Sequence, residues 1–224
     1  MKKQNQFSNA ERFSETLAVK ICGMMEAQNI VEIASLSPSY LGFIFAEKSP
    51  RYFEGIIPEI PKHIKKVGVF VGTSMEIIVE MVNLHQLQAV QLHGNESAEF
   101  CKKLKQELPE DIEIFKVFSI SNDFDFAVLE DFEEYCNYFL LDTKGKLPGG
   151  NGTQFDWKIL DNNQSQKPFF LSGGIGLQDL EAINKLLINK LPLFGIDCNS
   201  KFEVSPGIKD VEKCRTFLQN FKKE

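Results

Sequence analysis

Short apolar runs alternate with longer segments of mixed polarity along almost the whole chain. The runs at 18–22, 40–45, 66–71, 89–92, 112–117, 138–141, 168–171 and 193–197 have the length and composition of strands. The segments between them carry helical spacing. Over 75–84, Ile77, Ile78, Met81, Val82 and Leu84 fall mainly on one face, and after Asn95 the residues Phe100, Leu104 and Leu108 recur every four positions. The segments 177–187 and 211–221 follow the same rule.

Eight β-then-α units in this order predict a parallel sheet with crossover helices. Local pattern alone is equally consistent with an open doubly wound sheet. Two features favour closure into a (β/α)8 TIM barrel. Eight is the barrel's strand number, and polar or reactive residues follow many different strands, as expected where every strand end borders one shared pocket. An open sheet would gather its site at one switch point. The chain of 224 residues suits a single domain. It divides into an N-terminal extension, 1–17, and a barrel domain, 18–224, with no linker, low-complexity tract or short repeat.

Composition narrows the function classes. Hydrophobic residues make up 43% and charged residues 25%, an ordinary balance for a soluble globular core. A net charge of −6 argues against a nucleic-acid partner, while leaving room for a local basic pocket that takes a small anion. Five cysteines, an odd number without a CxxC or Cys/His cluster, read as reduced thiols and provide no metal site. The polar first residues lack a signal-peptide core, and no apolar run approaches the roughly 20 residues that span a bilayer. A cytoplasmic protein with no membrane partner is expected, as a monomer or a homodimer.

The candidate chemistry sits at strand ends. Cys22 closes the first strand in VKICG, with Lys20 two residues before it. A thiol there can serve as base or nucleophile if its thiolate is accessible, although free cysteines are also common as inert core residues. Asp142 closes YFLLD. Burial of a carboxylate favours its protonated form, which suits a general acid; the alternatives are a helix cap or a partner for Lys144. Gly149, Gly150 and Gly152 follow in a glycine-rich loop. Gly173 and Gly174, in LSGGIG, would let backbone N–H groups approach an anion. Asp197 ends the eighth strand and is followed by Asn199 and Ser200. Loops after strands seven and eight form the phosphate site of phosphate-using barrels. Arg51, in KSPRY, could fork onto a carboxylate or stand solvated. His93, in VQLHG, could orient a neighbour or a substrate, or be structural. His63 and His85 lie on helix-like stretches and read as structural, and Trp157 begins a helix and reads as packing.

Taken together, VKICG, GFIFAEKSPRY, VGVFVG, VQLHGNES, LLDTK, GGNGTQFDW, LSGGI and PGIKD resemble, in order, the phosphoribosylanthranilate isomerases of tryptophan biosynthesis. The resemblance runs from about Ala18 onward. It implies a cofactor-free and metal-free Amadori rearrangement of N-(5-phosphoribosyl)anthranilate to 1-(2-carboxyphenylamino)-1-deoxyribulose 5-phosphate. Asp142 would then be the general acid and Cys22 the general base. Arg51 would bind the anthranilate carboxylate, Gly173, Gly174 and Ser200 the phosphate, and His93 and Asp197 would also face the substrate. One stretch departs from the family: DCNSKFE stands where a turn like DVSSGVE is usual. A lysine at the glycine position would strain a backbone of positive φ, or else add a cation beside the phosphate.

Overall fold

The computed structural model describes residues 17–143, 157–188 and 191–221. Its eight parallel strands are β1 (Ala18–Cys22), β2 (Tyr40–Ile44), β3 (Lys65–Phe70), β4 (Ala89–Leu92), β5 (Glu113–Ile120), β6 (Tyr138–Thr143), β7 (Phe169–Ser172) and β8 (Leu193–Cys198). They pair in sequence order, and β8 returns to β1 with Lys20 opposite Asp197, so the sheet closes into a barrel. The open-sheet alternative is thereby excluded. The N-terminal extension, apart from Leu17, and the Gly149–Gly150–Gly152 loop lie outside the described residues.

The β-then-α repeat is less regular than the sequence pattern predicts. Helices α1 (Ala27–Ser35), α2 (Met75–His85), α3 (Ala98–Glu107), α4 (Leu180–Ile188) and α5 (Val211–Gln219) follow β1, β3, β4, β7 and β8. After β2 the chain runs through 45–64 without a helix. Pro50, Pro58 and Pro61 interrupt that stretch, and each removes an N–H donor. After β5 comes a 3-10 helix, Phe126–Phe132, whose buried residues are Phe126, Leu129 and Phe132. That spacing of three is the 3-10 period, which stacks the three side chains in one line against the core. Trp157 opens a second 3-10 helix, Trp157–Asn162, and packs on the core as expected. His63 lies in an exposed turn before β3, so the helical reading of its segment is corrected. His85 is buried at the end of α2 and stacks on Phe45 at 5.0 Å. Beyond β8, a 3-10 turn (Ser200–Phe202) leads into a small antiparallel hairpin, β9 (Glu203–Ser205) and β10 (Ile208–Lys209). Among the described residues, no helix is long and apolar enough to cross a membrane.

Strand alternation divides the core in two. On β1, Val19 and Ile21 face the helices, while Ala18 packs in the barrel interior with Tyr40, Val67, Ala89, Phe115 and Phe170. The rings of Tyr40, Phe115, Tyr138, Phe170 and Phe194 meet at centroid separations of 4.5–5.6 Å. Gly195 makes space for them: a Cβ there would lie 2.5 Å from the Phe170 ring. At the N-terminal end of the strands, Lys65 pairs with Glu113 at 2.5 Å and the Tyr40 hydroxyl donates to the same carboxylate at 3.1 Å. Aromatic packing therefore fills the lower barrel and leaves the strands' C-terminal ends for polar groups. Phe170→Ala should lower stability by about 3–5 kcal/mol, because the surrounding rings cannot collapse into the space. Urea unfolding measures this, and a loss within 1 kcal/mol, roughly what a tolerated surface change costs, would contradict the packing.

Candidate active site

On β1, Lys20 and Cys22 share the inward parity of Ala18, so alternation delivers an ammonium and a thiol to the upper barrel. Lys20 is fully buried. Its Nζ donates to Asp197 Oδ1 at 2.7 Å on the neighbouring strand β8, and Ser172 Oγ, at the end of β7, donates to Asp197 Oδ2 at 3.1 Å. Burial pulls the ammonium towards neutrality, but Asp197 and Cys22 outweigh it and hold Lys20 above its ordinary range. Gly42, inward on β2, leaves the gap the two groups need. A Cβ at that position would sit 2.7 Å from Cys22 Sγ and 3.2 Å from Lys20 Nζ.

Cys22 is 3% exposed. Burial pushes its thiol up, and the positive charge of Lys20 close by pulls the other way. The sequence reading of a nearby lysine therefore holds, while the free site favours thiol over thiolate. The backbone turns sharply after the thiol: Gly23 has φ +74°, and the N–H groups of Gly23 and Met24 both donate to the Gly42 carbonyl.

A second ion cluster stands beside the first. Arg51 reaches from the loop after β2 and forks onto Glu203, Nε to Oε1 at 2.8 Å and Nη2 to Oε2 at 2.7 Å. Lys209, buried on β10, donates to Glu203 Oε1 at 2.6 Å and to Asn199 Oδ1 at 2.8 Å. Burial alone would raise the Glu203 pKa, yet Arg51 and Lys209 bring it down to about 2. Arg51 is thus the forked guanidinium the sequence suggested, with two of its nitrogens on a carboxylate of the chain itself. Asn199, which stands where the family turn has a serine, accepts from the buried Lys209 ammonium and abuts Gly23.

Across the mouth, Asp142 is the penultimate residue of β6 and is buried. His93 follows β4, its Nε2 3.9 Å from Asp142 Oδ2 and its Nδ1 3.0 Å from Gln91 Nε2. The loop carrying His93 is pinned from outside the barrel. Glu96 accepts from the Gly72 and Gly94 N–H groups and from the buried Lys116 ammonium at 3.0 Å, tying the turns after β3 and β4 to the middle of β5.

At the remaining sector, Gly173 and Gly174 have φ +112° and +72° after β7, a conformation that favours glycine and exposes backbone N–H groups. Among the described residues, no heavy atom beyond its own chain neighbours lies within 4 Å of a Cβ built on Gly174. Ser200 opens the 3-10 turn after β8. Lys201 sits exposed in that turn without positive φ, so the strain expected at the glycine position does not arise. Among the described residues, no group of three or more His, Cys, Asp or Glu side chains could hold a metal ion.

The eight residues selected from sequence therefore meet at one end of the barrel: Cys22, Arg51, His93, Asp142, Gly173, Gly174, Asp197 and Ser200 follow or end six of its strands. The match to known proteins agrees. A family model described as N-(5'-phosphoribosyl)anthranilate (PRA) isomerase matches residues 19–220. The chain belongs to that family. A relative from Parabacteroides distasonis, named N-(5'-phosphoribosyl)anthranilate isomerase, is 40% identical over 91% of this chain and 92% of its own length. The crystal structure of phosphoribosyl anthranilate isomerase from Thermotoga maritima superposes with a TM-score of 0.75 at 31% identity, covering 91% of this chain and 98% of that one. A further phosphoribosyl anthranilate isomerase, solved with reduced 1-(o-carboxyphenylamino)-1-deoxyribulose 5-phosphate, has a TM-score of 0.72 at 29% identity, covering 91% and 97%.

Sequence reasoning missed Glu203, Lys209, Gly42 and Gln91. Inward parity with Cys22 and the strand-two register could have flagged Gly42; Gln91 shares that parity on β4. Glu203 and Lys209 carried no signal, because a hairpin outside the eight-unit pattern brings them in. In the folded chain Glu203 stays ionised down to about pH 2, whereas its ordinary value is 4.5. The unfolded chain thus takes up the proton first, so the stabilisation is complete above 4.5 and is lost as pH falls towards 2. Glu203→Gln should cost about 3–5 kcal/mol at neutral pH by stranding two cations. Urea unfolding should show that difference narrowing across the acid range; a constant difference would contradict the assignment.

Proposed function

We propose that this chain isomerises N-(5-phosphoribosyl)anthranilate with Cys22 as general base and Asp142 as general acid. The reaction is the aldose-to-ketose step of tryptophan biosynthesis, and the substrate is a small molecule. The observation that carries the residue assignment is the position of the two side chains. They lie at the C-terminal ends of β1 and β6, Cys22 last and Asp142 next to last, three strands apart around the barrel at the same mouth.

The chemistry requires such a pair. Asp142 donates a proton to the furanose ring oxygen as the C1–O bond breaks, leaving an iminium between C1 and the anthranilate nitrogen. That cation acidifies the C2 hydrogen. Cys22, as thiolate, removes it, and the electron pair of the C–H bond forms the enolamine. Protonation at C1 and loss of the hydroxyl proton at C2 give the ketose, an isomer of the starting compound. His93, with Nε2 3.9 Å from Asp142 Oδ2, orients that carboxyl group. Arg51 takes the anthranilate carboxylate, supported by a guanidinium held rigid on Glu203. Gly173, Gly174 and the Ser200 turn take the phosphate, supported by the left-handed backbone after β7. Asp197 acts behind Lys20 at the base of the pocket. A cytoplasmic setting suits five reduced thiols.

The test follows the fluorescence decay of phosphoribosylanthranilate with purified chain. Asp142→Asn and Cys22→Ser should each lower kcat by about 10²–10⁴ with the fold unchanged by circular dichroism. Most activity retained in either variant would overturn that residue's role. Gly42→Ala, which forces the thiol aside, should lower kcat by about 10²; unchanged turnover would show that the thiol's place is not critical.

A further inference from the structure

A lysine with no exposed surface inside a barrel is costly, and one carboxylate partner on the adjacent strand would suffice to explain it as a staple between β1 and β8. Two observations go beyond a staple. The Lys20 ammonium lies beside the Cys22 sulfur as well as on Asp197, and Gly42 leaves the space they share: a Cβ there would sit 2.7 Å from the sulfur and 3.2 Å from the ammonium nitrogen. In addition, the charges around the sulfur do not balance. Lys20 on β1, Arg51 after β2 and Lys209 on β10 supply three positive charges, while Asp197 on β8 and Glu203 on β9 supply two negative ones. With Cys22 as a thiol the cluster carries one surplus positive charge. With Cys22 as a thiolate it is neutral.

We infer that Lys20 is a positioning residue for the reaction: its ammonium, anchored by Asp197 and given room by Gly42, pairs with the Cys22 thiolate and holds it towards the mouth. The inference rests on Cys22 being the base. Lys20 exchanges no atom with the substrate. The proton that Cys22 gives up to become a thiolate passes to solvent or to a departing product, and the ammonium stays protonated throughout.

The experiment titrates the thiol and the rate together. Thiolate ultraviolet absorbance, taken as the difference between the full chain and Cys22→Ser, reports the ionisation of this one cysteine. The pH profile of kcat/KM reports the same ionisation through its rising limb. In Lys20→Met both should move to higher pH by about one unit or more. Turnover at neutral pH should therefore fall at least about tenfold, and should recover as the pH is raised. Asp197→Asn removes the carboxylate that opposes the thiolate and should move both to lower pH, so the inference stays testable if Lys20→Met does not fold. A merely structural Lys20 would change stability and leave both titrations in place; that result, or an Asp197→Asn shift to higher pH, overturns the inference. Retention of activity in Cys22→Ala would instead overturn Cys22 as base, a failure the absorbance titration separates from this one.

Discussion

The ion pair between Lys20 and Asp197 is the contact through which the rest of the site is organised. It joins the first strand to the last, opposite each other in register, where the barrel closes. A buried ammonium without a partner would cost several kcal/mol, so the carboxylate has to lie on the adjacent strand at the same height. Ser172 then fixes the second carboxylate oxygen from β7. The aromatic rings fill the middle of the lower barrel, with the Lys65–Glu113 pair at its N-terminal rim, and the groups of the candidate site gather at the strands' C-terminal ends. Geometry there follows from closure: strands far apart in sequence deliver thiol, carboxylate, imidazole and guanidinium to one opening.

Much of this was legible in the sequence, for physical reasons that differ by residue. Eight apolar runs with helical spacing between them gave the barrel, because buried strands and amphipathic helices leave different periods. Cys22, Asp142 and Asp197 were visible because a polar group ending an apolar strand is conspicuous. Gly173 and Gly174 were visible because a strand that ends in two glycines before a helix has few other uses. The irregular connections were less legible. Prolines after β2 and the three-residue apolar spacing at 126–132 override a helical expectation that the average pattern suggests. Glu203 and Lys209 were invisible, since their importance arises only when the hairpin folds back over Arg51 and Asn199.

The departure of the eighth-strand turn from the family pattern has a local explanation. Asn199 serves the buried Lys209 ammonium, and Lys201 occupies ordinary helical backbone in the 3-10 turn. The turn follows β8 as the two glycines follow β7, with side chains of its own supporting it. The proposed acid and base come from β6 and β1, and the backbone proposed to bind the phosphate follows β7 and β8, which lie between them. A sugar phosphate bearing an aromatic carboxylate has complementary charges at its two ends.

The most direct measurement is a crystal structure of this chain with reduced 1-(2-carboxyphenylamino)-1-deoxyribulose 5-phosphate bound. The account predicts the phosphate on the N–H groups around Gly173, Gly174 and Ser200, and the aromatic carboxylate on Arg51. It places the ribulose C2 against Cys22 Sγ, with Asp142 on the opposite side of the chain of carbons. An analogue bound in the reverse direction, or with C2 out of reach of the sulfur, would contradict it.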